Sequence, residues 1–155
     1  MHEGYRRVVV GVSGSMGSIA ALHRAVTEAR RFDAEVLAVM ATTPNVHSAE
    51  HIVVERTMAE RALAEVLESA FGAGGRPPGV RFSAVAALGG AGPVLAQAAD
   101  RDGDLLVVGA RRRRLLPGFS TARYCTAHAT CPVLVVPLPT LRPQAQLTAF
   151  DAAEF

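Results

Sequence analysis

Residues 5–32 read YRRVVVGVSGSMGSIAALHRAVTEARRF, and the change of period inside that stretch decides the fold. Tyr5 to Val12 is a short run dominated by β-branched side chains and predicts a strand. Gly11 to Gly17 predicts a tight turn, with Ser15 as a helix N-cap. From there Ile19, Leu22, Val26 and Ala29 recur every three or four residues and predict a helix ending near Phe32. The strand is apolar throughout instead of alternating. A strand of that kind is buried on both faces, as in a parallel sheet covered by helices.

Working outward, the same unit repeats. Ala34 to Ala41 predicts a second strand. Ser48 to Phe71 predicts a long helix, with Met58, Ala62, Leu63, Val66, Leu67 and Ala70 on its apolar stripe. Residues 72–79, GAGGRPPG, form a loop by composition, and Val80 to Ala86 predicts a third strand. Gly92-Pro93 opens a short helix, with Pro93 at its first position, that stops at Asp102-Gly103. Asp104 to Gly109, DLLVVG, predicts a fourth and deeply buried strand. Residues 110–119 form an arginine-rich loop, Ser120 caps a helix to about Ala129, and Pro132 to Val136 predicts a fifth strand. Alternating strands and helices define an α/β, doubly wound single domain with a five-stranded parallel sheet and helices on both faces. Spacing does not set the strand order. The domain spans residues 1–137, and residues 138–155 form an extension. The extension is rich in proline and then apolar, with Leu141, Leu147, Phe150 and Phe155; it is read either as a disordered tail or as a segment packed on its own domain or on a second subunit.

The 155-residue length suits one core, and no apolar run reaches the roughly 18 residues needed to span a bilayer. No signal-peptide pattern appears, so the chain is expected to be cytoplasmic and to have no membrane role. All 16 basic residues are arginine. Without lysine there is no P-loop, no kinase strand lysine and no pyridoxal phosphate Schiff base. The net charge of +2 would be −2 without Arg111, Arg112, Arg113 and Arg114, so no basic face for nucleic acid is expected. Cys125 and Cys131 match neither a redox nor a zinc spacing. His47-Ser48-Ala49-Glu50-His51 has the inverted zinc-protease order, but His47 stands at the helix start and no third ligand is singled out, so no metal site is expected. No triad or paired-carboxylate arrangement appears, and no catalytic residue is assigned.

In an open parallel sheet, ligands bind beyond the carboxyl ends of the strands, where the topology reverses. Two segments qualify. The first is Gly11-Val12-Ser13-Gly14-Ser15-Met16-Gly17, whose glycines do not match the dinucleotide fingerprint. The second runs from Gly109 through Arg112 and Gly118 to Ser120 and Thr121. Helix N-terminal amides and arginine forks there favour an anion, phosphate above all.

The whole pattern resembles the universal stress protein family over residues 5–137. The resemblance rests on VVVGVSGSMGSIAALHRAVTEAR, on DLLVVGARRR and above all on AHATCPVLVVP. It implies a strand order of 3-2-1-4-5 and a homodimer through the fifth strand, Pro132 to Val136. It also implies a stress-adaptation or regulatory role without catalysis, acting on protein partners the sequence does not identify. Some members bind ATP through a glycine, two residues, a second glycine, nine residues and a Gly-Ser or Gly-Thr pair. Gly109 matches the first glycine, but Arg112 replaces the second. Aligned from Tyr124, His128 and Cys131, Ser120 takes the serine position with Phe119 in place of its glycine. Ser13 stands where an acidic residue is usual. The loop is about three residues short, and losing its glycines removes backbone N–H groups that approach phosphate.

The resemblance therefore implies a degenerate nucleotide site with ATP binding weakened or lost. The alternative is an ATP- or AMP-binding protein, with Mg²⁺ and an Arg-modified phosphate loop, hydrolysing slowly at most. The candidate nucleotide-binding residues are Gly11, Ser13, Met40, Val108, Gly109, Arg112, Gly118, Ser120 and Thr121. Met40 and Val108 are included because the resemblance assigns those strand ends to a base pocket. Replacing Gly109 by Val is expected to abolish binding without unfolding the domain.

Overall fold

The computed structural model describes residues 4–43, 49–110 and 120–139. Five strands, β1 (Arg7–Gly11), β2 (Glu35–Thr42), β3 (Phe82–Leu88), β4 (Asp104–Gly109) and β5 (Val133–Val136), form one sheet. Between them come α1 (Met16–Phe32), α2 (Ala49–Phe71), α3 (Ala91–Ala98) and α4 (Thr121–His128). All neighbouring strands are parallel, in the order β3-β2-β1-β4-β5. That is the doubly wound fold expected, and the topology reverses between β1 and β4.

The period of two in the strands divides the core. Val8, Val10, Val36, Ala38 and Val107 face α1 and α2, whereas Val9, Val39, Leu106 and Val108 face α3 and α4. Each of these side chains is at most 2% exposed, so the central strands are covered on both faces. Alanine and glycine let the helices approach closely. Ala21 and Ala25 bury completely beneath α1, and a Cβ on Gly92 of α3 would lie 2.7 Å from the Tyr124 ring of α4.

Several boundaries differ from those read in the sequence, each for a local reason. β1 starts at Arg7, because Arg6 N–H turns to the Gly103 carbonyl (2.8 Å). β3 starts at Phe82, two residues after Val80, and runs on to Leu88 because it pairs with β2 as far as Thr42. α3 starts at Ala91, which puts Pro93 at its third position; the missing N–H is still among the four that a helix start leaves unpaired. The same helix ends at Ala98, before Asp102, because the Asp104 carboxylate accepts from Arg101 N–H (2.9 Å) and folds the chain into a turn.

α2 departs further. Ala59, Leu63 and Leu67 are buried, but Met58 and Ala62 are exposed. The edge-on contact of His23 with Phe71 (5.5 Å) explains part of this. At 1.5 Å per residue, α1 extends about 10 Å back from that level and α2 about 33 Å, so side by side the start of α2 overhangs α1 by about 20 Å.

At the amino end of the sheet, Arg7 and Asp104 are register partners on β1 and β4. The guanidinium donates to both carboxylate oxygens (2.9 and 2.6 Å) and to the Ala98 carbonyl (2.9 Å). Both residues are buried, and their hydrogen bond pushes the Arg7 pKa above its already high ordinary value against the opposing effect of burial. Removing one partner strands the other charge. Asp104→Ala is expected to lower unfolding stability by about 3–5 kcal/mol in urea titration, whereas Asp100→Ala, whose exposed carboxylate is 3.8 Å from Arg7, should cost about 0–1 kcal/mol.

Candidate functional site

Beyond Val10 and Val107, the last register pair of β1 and β4, the two central strands part. Val12 N–H bonds the Val39 carbonyl of β2 (2.8 Å), while Ala110 N–H bonds the Val136 carbonyl of β5 (2.8 Å). Each strand end therefore leans toward its outer neighbour and opens a crevice at the switch point.

The first turn of α1 lies against β4 there. A Cβ on Gly109 would fall inside van der Waals contact of the Gly17 carbonyl, and one on Gly17 would lie 2.9 Å from the Ala110 carbonyl oxygen. Backbone meets backbone, and no side chain fits between. This corrects the expectation for Gly109→Val: the substitution displaces α1 and does not leave the domain intact.

Serine hydroxyls order the β1–α1 turn. Ser13 N–H donates to Ser18 Oγ (2.6 Å), Ser15 N–H to Ser13 Oγ (3.3 Å) and Ser18 N–H to Ser15 Oγ (3.2 Å). Ser13 and Ser15 hydroxyls also pair with each other (3.0 Å). None of the N–H groups of Gly14, Met16 and Gly17 is engaged by those hydroxyls or by a backbone carbonyl. Gly14 and Met16 are exposed and Gly17 is buried, so two accessible donors remain for an anion, the Met16 amide at the positive end of α1 and the Gly14 amide just before its cap. On the far side of the crevice Ser120 caps α4, accepting from Arg123 N–H (3.3 Å), and Thr121 is the helix's first residue.

Gly11, Ser13, Gly109, Ser120 and Thr121 thus all lie at the carboxyl end of the sheet. Arg112 and Gly118 fall outside the described residues. Met40 and Val108 lie in different layers: Met40 is buried in the core under α1 and α2, and Val108 in that under α3 and α4. Their backbones line the strand ends, but their side chains point to opposite faces of the sheet. Sequence reading missed Ser18, and it named Gly17 only as the end of the turn, without its contact to β4. Ser18 is three residues after the Ser15 cap, and that spacing was the available signal. Gly17 gave none, because its role comes from a strand far away in the chain.

Among the described residues no group of three or more His, Cys, Asp and Glu could hold a metal, and His47 lies outside them. Nor is any helix there long and apolar enough to cross a membrane. His128 is an exposed residue stacked on Tyr124 (4.1 Å between rings). Burial pushes both the Cys125 and Cys131 thiols up, away from the reactive thiolate.

With this geometry in place, comparison with known proteins gives the class. Residues 4–137 match the Universal stress protein family, and the chain belongs to that family. Its fold is shared with a universal stress protein solved in complex with cAMP (24% identity, TM-score 0.64, covering 88% of this chain and all of that one). It is also shared with a family protein from Arabidopsis thaliana with AMP bound (22%, 0.59, 87% of this chain and 93% of that one). A third is the universal stress protein from Archaeoglobus fulgidus in complex with dAMP (19%, 0.53, 85% and 98%). No match was found among curated proteins.

The close approach of α1 and β4 makes a graded prediction. Gly109→Ala is expected to cost about 1–3 kcal/mol through overpacking. Gly14→Ala, where a Cβ meets nothing within 4 Å, should leave stability unchanged to within about 1 kcal/mol. Thermal unfolding of the two variants beside the parent chain checks the contrast.

Proposed function

We propose that the chain works as a non-catalytic regulatory domain of the universal stress protein type, dimeric through β5, whose crevice takes an adenine nucleotide with a single phosphate in preference to ATP. The observation that carries this reading is the pair of exposed, unengaged amides at Gly14 and Met16, beside the crevice where β1 and β4 part. Two donors and one helix terminus suit one phosphate. A triphosphate needs a longer cradle, and the β4–α4 segment has Arg112 and Phe119 where glycines would present backbone N–H groups. The solved relatives described as complexes with AMP, dAMP and cAMP support a monophosphate.

Hydrolysis is not part of the proposal. Residues 11–18, 40–43, 108–110 and 120–121 contain no carboxylate, histidine or cysteine, so no general base stands beside the crevice among the described residues. Ser13 in place of a carboxylate weakens the hold on a ribose, since a hydroxyl accepts less strongly than an ionised group. The dimer reading is supported by the outer edge of β5, which pairs with no further strand among the described residues and where Val135 is exposed.

Titration calorimetry with AMP and ATP, followed by native mass spectrometry, tests the proposal. AMP is expected to saturate the protein with ATP several-fold weaker. Ser13→Asp should raise AMP affinity roughly tenfold, as a charged acceptor adds about 1.5–3 kcal/mol before its own desolvation. A protein that ignores both nucleotides at millimolar concentration would refute the nucleotide reading, and one that turns ATP over would refute the non-catalytic one. Sedimentation at micromolar concentration should give a dimer, and Val135→Asp should give a monomer; a monomeric parent chain rejects the β5 interface.

A further inference from the structure

Only Phe82 of β3 is buried, and Ser83, Ala84 and Val85 are all exposed. The strand stands at the edge of the sheet, and no further strand pairs with its outer side among the described residues. Nothing from Phe82 to Leu88 is charged or proline. Edge strands are commonly guarded by such residues, by bulges or by a covering element.

The ladder shows which groups this edge leaves open. Val36 N–H bonds the Arg81 carbonyl (2.8 Å), and Gly89 N–H bonds the Thr42 carbonyl (2.9 Å). Main-chain groups alternate in direction along a strand, so Ser83, Val85 and Ala87 turn theirs to β2, and Phe82, Ala84, Ala86 and Leu88 turn theirs outward. Arg76 donates to the Phe82 carbonyl and closes that end. The outward N–H and carbonyl groups of Ala84 and Ala86 have no partner among the described residues. Beside them a groove of about 460 Å³ runs between α2 and the strand, lined by Leu63, Ala64 and Leu67 of α2 and by the methyl groups of Ala84 and Ala86. An added strand would find main-chain partners along the edge and apolar surface for its alternate side chains.

The charges around the edge are uneven. At the amino end of β3, Arg30, Arg76 and Arg81 are exposed, and none of them is ion-paired among the described residues. They donate to the carbonyls of Pro78, Phe82 and Asp33 respectively, which leaves further N–H donors on each guanidinium. Asp33 adds one exposed carboxylate there. The ring contact of Phe71 with Phe82 sets the end of α2 at this level, so Arg56 and Glu60 lie toward the other end of the groove. Their opposite charges offset each other. The amino end of the edge is thus the one that selects for charge, and it selects for acid.

We infer that the edge of β3 from Ala84 to Leu88 takes an extended segment of another protein as an added antiparallel strand. Alternate apolar side chains of that segment fill the groove, and acidic residues at its carboxyl end meet Arg30, Arg76 and Arg81. Antiparallel pairing sets that end beside the amino end of β3 and is the more stable of the two modes. The β3 strand of a second copy has no acidic residue to offer. The docking needs no nucleotide, so its failure and that of the nucleotide reading are separate results.

Titration calorimetry and amide hydrogen exchange on the full chain at low ionic strength test the inference. The probe is an acetylated peptide of alternating valine and threonine that ends in two aspartates. It is expected to bind and to slow exchange of the Ala84 and Ala86 amides. The same peptide ending in two lysines should bind about tenfold weaker, and one N-methylated on every valine and threonine should not bind. Arg76→Glu with Arg81→Glu should reverse the preference between the two charged peptides. Ala86→Pro should abolish binding while the strand keeps its place, because the N–H it removes is outside the ladder with β2. An acidic peptide that fails to bind at millimolar concentration, or binds no tighter than the lysine or N-methylated one, overturns the inference. So do Ala84 and Ala86 amides that are protected without peptide. Protection equal at every protein concentration means that the chain covers its own edge, and protection that grows with concentration means that a second copy does.

Discussion

The contact between Gly17 of α1 and Gly109 of β4 is the constraint on which the rest of the candidate site depends. With no side chain on either residue, the helix start can rest directly on the strand end. That position sets the first turn of α1 beside the crevice, and Leu138 packs against the same turn. A methyl group on either residue would push the helix away and with it the donors, the serine network and the seat of Leu138. Packing and ligand geometry are the same problem here, so a substitution at this contact cannot separate stability from binding.

The two ends of the sheet carry different burdens. At the amino end β1 and β4 are tied by a buried, bidentate Arg7–Asp104 pair with further hydrogen bonds to the Ala98 carbonyl and from the Arg101 N–H. At the carboxyl end the same two strands separate, each completing its ladder with an outer neighbour. A parallel pair held firmly at one end and opened at the other makes a fixed crevice, and the charged pair contributes register more surely than net stability. Another arginine pair lies away from the sheet: Glu28, nearly buried on α1, is shared by Arg24 and Arg31 and needs no part in the site.

Among the described residues the chemistry offered at the crevice is almost wholly that of the backbone. Their side chains are serine, threonine, methionine and alanine, with hydroxyls that order the β1–α1 turn. A site of backbone donors is insensitive to pH over the physiological range and holds an anion without moving a proton.

Strand and helix identity was legible from the sequence because it depends on local period: VVVGV and DLLVVG are apolar on both faces, and Leu22, Val26 and Ala29 repeat at helical spacing. Ser15 and Ser120 were legible as caps because a cap acts on amides within three residues of itself. The order of the strands came from resemblance to a family and not from spacing, since a β–α–β unit can extend a sheet on either side. What only the tertiary structure decided are the facts that join distant residues. Asp104 reads as one aspartate of a turn until β4 is laid beside β1 and Arg7. Met40 and Val108, which the resemblance assigns to strand ends at one base pocket, carry side chains that the pleat sends to opposite faces. Met58 reads as core until the level of α2 against α1 leaves it in solvent. Gly17 and Gly109 become a single feature only in the fold, because a residue without a side chain carries no pattern of its own and its function is the space it leaves for another part of the chain.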